Sequence, residues 1–479
     1  MQTLKKRYGL ITAICMVVGI VIGSGVFFKA QNVLNKTAGD AMLGILAWVI
    51  GGAIMVVLAS TFAIMATKYE KVNGVVDYAE AICGKTFAYY IAWFVTYIYY
   101  PAMTSVLAWV SARYTLVAIL GVENDGKMIF SAECILLATL YLIVIYYINA
   151  LSPKIAGKFQ VTTTVAKLVP LVAVALVGTV IGLVNGNLST NFELGEAISA
   201  AMPDGGTGLF PAVCATAFAY EGWIIATAIN AEIKDAKKNL PLALLIGSGI
   251  IVAIYVCYYV GVLGLENTGV LMTHGTHAAF QQLGTVTAAI INFLVVISCL
   301  GTLNGLMLGC TRGTYALAAR KEGIKPEVFG EIDRKTNVPN NSASMALLTC
   351  AFWLVYFVGA NGLNWFGEYG FDSSELPIIT IYPLYVPILI GFMVKEKDLH
   401  PFKRFVLPIL SIIGSGIMVA ASILSHGMDN VYYLAIFVPV MALGAFFWYK
   451  NRKKAPVAAV EVAPEEAAEE APVEVAEEA

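Results

Sequence analysis

Charge is what this chain has least of. Of its 479 residues only 13% are Asp, Glu, Lys or Arg, while 59% are hydrophobic. Soluble domains carry about 25% charged residues, so a water-facing surface of this size would go uncovered. A surface facing acyl chains, by contrast, cannot tolerate much charge. Length alone would suggest about three soluble domains, and hydropathy overrides that prior. Histidine is scarce too: His274, His277, His400 and His426 all fall in predicted loops or helix ends. The eight cysteines form no CxxC pair and no metal-ligand spacing. Six of them (Cys15, Cys214, Cys257, Cys299, Cys310, Cys350) lie inside apolar runs, where a thiol acts as a small hydrophobe. No paired acids with histidine occur within those runs, so an enzyme is unsupported, and neither a cofactor, a metal nor a nucleic-acid partner is expected. No cleavable leader is expected either. The first apolar run starts about eight residues in, after Lys5-Lys6-Arg7, is too long for a signal-peptide core and lacks a cleavage pattern.

Long hydrophobic runs are what the chain does have. A bilayer core about 30 Å thick needs about 20 apolar helical residues. That ruler yields twelve candidate spans: 8–28, 41–66, 86–118, 129–149, 157–184, 207–231, 240–264, 285–318, 342–360, 375–394, 405–425 and 430–449. With the N-terminus placed in the cytoplasm, 24 of the 30 basic residues fall in inner segments. Lys29, Lys36 and Lys127 fall outside, and Arg113, Lys167 and Arg312 fall within spans. Such asymmetry predicts a multi-pass protein of the cell membrane, lipid-bound, with both termini cytoplasmic. The final stretch, 451–479, reads as a disordered acidic tail: from Ala455 it holds eight Glu and no Lys or Arg, and removing them takes the formal charge from −2 to +6.

Two spans carry a weak point. Span 1 reads GLITAICMVVGIVIGSGVFF, with Gly23-Ser24-Gly25 past its middle. Glycine costs a helix about 1 kcal/mol relative to alanine, although close helix packing through small residues would use the same motif. Span 6, GLFPAVCATAFAYEGWIIATAINAEI, places Glu221-Gly222 near mid-depth. An acid there costs at least about 2.5–3.5 kcal/mol and should face a cavity or a partner. Span 6 stands five spans after span 1, so in a pair of inverted five-span repeats the two breaks correspond, as at the midplane site of a transporter. Freed amides at Gly23, Ser24 and Gly25, beside the positive end of the following half-helix, suit a carboxylate. Freed carbonyls near Val21 and in Phe218–Glu221 suit an ammonium group. A site with both fits a zwitterion, hence an α-amino acid.

These residues resemble the amino acid–polyamine–organocation superfamily, and within it the L-type amino acid transporters, over most of residues 8–450. The resemblance is carried by VIGSGVF in span 1, FAYEGW followed by NAEIKDAKKNLP in span 6, and SCLGTLNG with a later RKEGIKP in span 8. It implies an all-α, twelve-helix membrane protein of the leucine-transporter type: repeats over 8–184 and 207–394, then two further helices over 405–449. It also implies that the Ser24 and Gly25 amides hold the substrate carboxylate with Gly23 opening the turn. The carbonyls of Val21, Phe218 and Glu221 would hold the amine, with Ala219 and Gly222 at the same break and Phe218 as an outer lid. No disulfide-linked accessory subunit is implied, because the loop GVENDGK between spans 3 and 4 lacks cysteine.

Lys167, in VTTTVAKLVPLV, lies nine residues beyond Lys158, about 14 Å deep at 1.5 Å per residue, too far to snorkel easily. By resemblance it fills the place of sodium in sodium-coupled relatives, bridging span 1 near Gly23 and span 8 near Ser298 and Thr302. Transport would then need no sodium. Glu221 stands where many L-type relatives have glycine, and three placements stay open: in the side-chain pocket favouring basic or polyamine-like substrates, as a proton-coupling acid, or pointing away to another helix. Ile224 replaces an asparagine of those relatives. Tyr100, within Tyr99-Tyr100-Pro101, and Trp223 are possible pocket residues that fit core packing equally well, as do Tyr382 and Tyr385. Glu232, Lys234, Lys237 and Lys238 read as a solvated inner face.

Overall fold

The computed structural model describes residues 9–23, 25–69, 74–121, 128–151, 153–199, 208–224, 233–333, 338–367, 373 and 375–454. The acidic residues from 455 onward lie outside this set. Every extended element within it is a helix. The first span is two helices, α1 (Leu10–Val21) and α2 (Gly25–Lys36), bent by 45°. It therefore runs further than the sequence reading to residue 28. Then follow α3 (Ala41–Lys68), α4 (Lys85–Leu120), α5 (Ala132–Leu151), α6 (Ile155–Asn185), the short α7 (Leu209–Tyr220), α8 (Ala236–Leu265), α9 (Thr285–Ala319), α10 (Asn340–Asn361), α11 (Ile378–Lys395), α12 (Phe402–His426) and α13 (Asp429–Arg452). Among the described residues ten of these are long and apolar enough to cross a bilayer, or eleven with the bent pair counted as one. The inner half expected for span 6, residues 225–231, lies outside the description.

Local chemistry explains several boundaries. The Asp40 carboxylate accepts from the Leu43 amide at 2.9 Å and caps α3, satisfying one orphan donor at its start. Small residues let α6 and α8 touch backbone to backbone. A Cβ at Gly178 would lie 2.3 Å from the Gly261 carbonyl oxygen, and one at Gly182 would lie 2.3 Å from Gly264 Cα. Lipid supplies no hydrophobic drive between helices, so such close approach is how membrane helices gain packing energy. Both α4 and α6 contain one wide π-turn, at Val95–Tyr99 and Val174–Gly178. These inserted residues commonly mark functional sites.

Candidate functional site

The helix breaks meet. α1 ends at Val21, and Ile22 turns extended (ψ 109°) while its amide still donates to the Val18 carbonyl at 2.8 Å. Ser24, assigned to the carboxylate site, lies outside the described residues. α7 stops at Tyr220; Glu221 is extended (ψ 165°) and Gly222 has φ +101°, a conformation that favours glycine. A Cβ on Gly25 would sit 2.5 Å from Ala219 Cα, so the start of α2 leans directly on the end of α7.

Between the breaks runs a narrow cleft of about 390 Å³ of atom-free space, its open mouth included. Ile20, Val21, Gly23 and Gly25 line it from the first break, and Phe218, Glu221 and Gly222 from the second. Tyr99, Met103 and Leu107 of α4 face it, with Thr302 and Leu306 of α9. Glu221 is the single charged residue of this lining among the described residues. Its carboxylate accepts from the Tyr99 hydroxyl and, at 3.2 Å, from the Tyr382 hydroxyl. Both tyrosines are buried, and a buried phenol needs such a partner. Of the placements open to Glu221, the geometry puts it in the cleft and tied to two other helices at once.

Lys167 is fully buried. Its ammonium donates to the carbonyls of Gly19 (2.6 Å) and Ile22 (2.5 Å), with the Thr302 hydroxyl at 3.4 Å. It therefore sits against the carbonyls freed where α1 ends, the negative end of that half-helix, and reaches Thr302 of α9. Thr302 in turn donates to the Ile22 carbonyl (3.4 Å) and, within α9, to the Ser298 carbonyl (3.2 Å). The Ser298 hydroxyl is buried with no hydrogen-bond partner among the described residues.

Other expectations shift. Tyr99, the last residue of the π-turn at Val95–Tyr99, lines the cleft, and Tyr100 does not. Trp223 is buried but does not line it. With Phe62 (ring centroids 5.4 Å) and Tyr385 (6.2 Å) it builds an aromatic wall beside the second break. Ile224 is buried as well. Lys29 is no outer-loop residue: it lies on α2, fully buried, its ammonium 5.2 Å from the Phe218 ring and bonded to Glu375. His426 Nε2 lies 3.1 Å from the other oxygen of Glu375. Cys214, Glu375 and His426 thus converge in space without any ligand spacing in sequence, with Glu375 already engaged by the Lys29 charge. Lys234, Lys237 and Lys238 are exposed as expected, whereas Glu232 falls outside the description.

Sequence reasoning missed Tyr255 of α8. Its hydroxyl donates to the carbonyls of Val21 (3.2 Å) and Ala219 (3.0 Å), one from each break. The Val21 carbonyl, assigned to the substrate amine, is therefore partnered already, with one lone pair left. Nothing local distinguishes Tyr255 from the other tyrosines of an apolar run.

Comparison with known proteins extends the picture. A family profile described as "Amino acid permease" matches residues 8–447. The serine/threonine exchanger SteT of Bacillus subtilis (strain 168) is 29% identical over 465 residues, covering 94% of this chain and 98% of that protein. The human large neutral amino acids transporter small subunit 2 is 26% identical over 470 residues, covering 94% and 82%. Among solved structures, MhsT in complex with L-phenylalanine superposes with a TM-score of 0.54 at 15% identity, covering 91% of this chain and all of that one. That likeness speaks for the fold.

Proposed function

Because this chain belongs to the amino acid permease family, we propose that it is a sodium-independent secondary transporter of small amino acids, working by alternating access as an exchanger or proton symporter. The chain is a multi-pass membrane protein whose relatives are amino acid transporters and exchangers. The reading goes further: twelve spans in five-plus-five inverted repeats with two added helices, residence in the cell membrane, both termini cytoplasmic, and no disulfide-linked accessory subunit. The observation that carries it is that two helix breaks abut around one cleft. The substrate carboxylate would take the amides of Gly23, Ser24 and Gly25, and the amine would take the carbonyls of Val21, Phe218, Ala219 and Glu221, with Phe218 closing above. The Lys167 side-chain nitrogen occupies the end of α1, bonded to the Gly19 and Ile22 carbonyls, which supports independence from sodium.

The test is uptake by purified protein in liposomes, screened across amino acids and amines, with and without sodium and with a pH gradient. Saturable uptake of a neutral amino acid that is unchanged when choline replaces sodium is expected. Uptake of every amino acid and amine that persists unaltered in the Ser24→Leu/Gly25→Leu double variant would remove the site assignment.

A second reading has its own observation in favour. Glu221 brings the one charge among the cleft-lining residues, which suits a cationic amino acid, a polyamine or an amino acid/amine exchange. Glu221→Gly assayed against neutral and cationic amino acids separates the two: loss confined to cations supports the second reading, and equal loss of both supports a role in the transport cycle itself.

A further inference from the structure

Behind Lys167 stands a second set of donors aimed at the same half-helix. The Gly19 carbonyl of α1, besides Lys167, accepts from the Gln160 amide nitrogen of α6 at 3.3 Å. The Gln160 oxygen accepts from the Asn304 amide of α9 at 3.1 Å, and that amide also reaches the Ala156 carbonyl at 3.2 Å. The Asn304 oxygen accepts from the Asn149 amide of α5 at 2.9 Å. Asn149 and Asn304 are almost fully buried. The donors all run one way, Asn149 to Asn304 to Gln160 to Gly19, and end on the carboxyl end of α1. Each amide is oriented by the one behind it, because flipping any member would set two oxygens or two NH₂ groups face to face.

This arrangement joins α1 to three helices through a single side chain. Gly19 itself packs tightly there: a Cβ on it would lie 2.1 Å from the Thr164 hydroxyl of α6. We propose that Gln160 is a positioning residue that latches half-helix α1 to α5, α6 and α9, and that the break of its bond to Gly19 is a step in moving α1 toward the inward-open arrangement. The inference rests on the alternating-access reading. Lys167 holds α1 at the break by charge. Gln160 and the amides behind it hold the turn before the break by a neutral bond, which is the weaker and more readily exchanged of the two.

The experiment reads the position of α1 without any substrate, so its failure is distinct from a wrong substrate assignment. Ala13, fully buried on α1, is replaced by cysteine in a background where the exposed or partly exposed Cys15, Cys83 and Cys257 are serine. Labelling by a membrane-impermeant maleimide is followed from the cytoplasmic side of vesicles. Loss of one neutral hydrogen bond, about 1 kcal/mol, corresponds to about a five-fold shift, so Gln160→Leu is expected to speed labelling about five-fold. Gln160→Glu, whose ionised carboxylate still accepts from Asn304 but cannot donate to Gly19, is expected to do the same and decides the matter if the leucine variant fails to fold. In the transporting protein the same change should alter the apparent KM measured from the inner side more than that from the outer side, which a general loss of stability would not do. Labelling within two-fold of the parent in a folded Gln160→Glu protein, or equal change of both KM values, overturns the proposal.

Discussion

Lys167→Met keeps most of the stem and removes three N–H donors. Two carbonyls feel the change: Gly19, bonded at 2.6 Å, and Ile22, bonded at 2.5 Å. A hydrogen bond to a charged group contributes about 1.5–3 kcal/mol, so the two together hold the end of α1 by about 3–6 kcal/mol before any offset. Two offsets apply. Gly19 keeps the Gln160 amide at 3.3 Å and Ile22 keeps the long 3.4 Å bond from Thr302, and the variant no longer carries the desolvation cost of a fully buried ammonium. A net loss of about 2–3 kcal/mol in the break geometry remains. If substrate binds only when that geometry is populated, apparent affinity drops about 30- to 150-fold. The assay is equilibrium substrate binding to purified protein in detergent, with a thermal melt confirming that the variant is folded. A folded Lys167→Met protein that binds within two-fold of the parent would refute the assignment of Lys167 as the support of the first break. Lys167→Arg is expected to rescue poorly, because a planar guanidinium does not fit a fully buried site shaped for a compact ammonium.

Further outcomes follow from single contacts. At Gly25 an added Cβ meets a backbone atom, Ala219 Cα at 2.5 Å, whereas at Gly23 it meets a side chain, the Thr302 hydroxyl at 2.4 Å. Overpacking of this kind costs about 1–3 kcal/mol, so uptake by either alanine variant should fall about five- to 150-fold. Thr302→Ala should partly restore Gly23→Ala, and Ala219→Gly should not restore Gly25→Ala. Beyond the end of α9, Arg320 bonds Asp77 and lies 3.3 Å from Glu80, while one carboxyl oxygen of Glu322 is buried with no hydrogen-bond partner among the described residues. Burial pushes Glu322 up to about 7 and Glu80 adds to it, against the opposing charges of Arg320, Lys85 and Arg452. A raised carboxyl holds its proton longer in the folded state. Its contribution is therefore complete below the ordinary carboxylate range and is lost as pH rises through about 7. Thermal stability should decline from pH 5 to 8, and Glu322→Gln should flatten that slope; a slope unchanged in the variant assigns the effect elsewhere. Tyr255→Phe removes the one hydroxyl shared by Val21 and Ala219. It should weaken substrate binding about five- to thirty-fold, as the loss of about 1–2 kcal/mol implies.

Much of the architecture was legible from residues alone. Spans are local: each needs only about 20 apolar positions in a row, and the described helices overlay the expected runs, with α2 extending past its forecast end. The breaks are local too, because Gly-Ser-Gly and Glu-Gly announce a weak or costly point in an apolar helix wherever they occur. Lys167 announced itself by depth, since a charge nine residues inside a span must find partners, and the only open question was which. Partners were another matter. Tyr99, within the π-turn Val95–Tyr99, faces the cleft in place of Tyr100, and no propensity signals that turn. Lys29 reads as an outer lysine until Glu375, 346 residues away, is brought to it.

Tyr255, Gln160 and Asn149 carry no signature at all in the sequence, and Asn304, although it lies within SCLGTLNG, gives no sign there of the amides it meets. An amide or phenol in an apolar run states only that a hydrogen bond must be made. Hydropathy and helix propensity act along the chain and could be read there. Which carbonyl each buried donor meets depends on helices packing across the bundle, through contacts 36 to 234 residues apart in sequence, and that the folded structure alone decided.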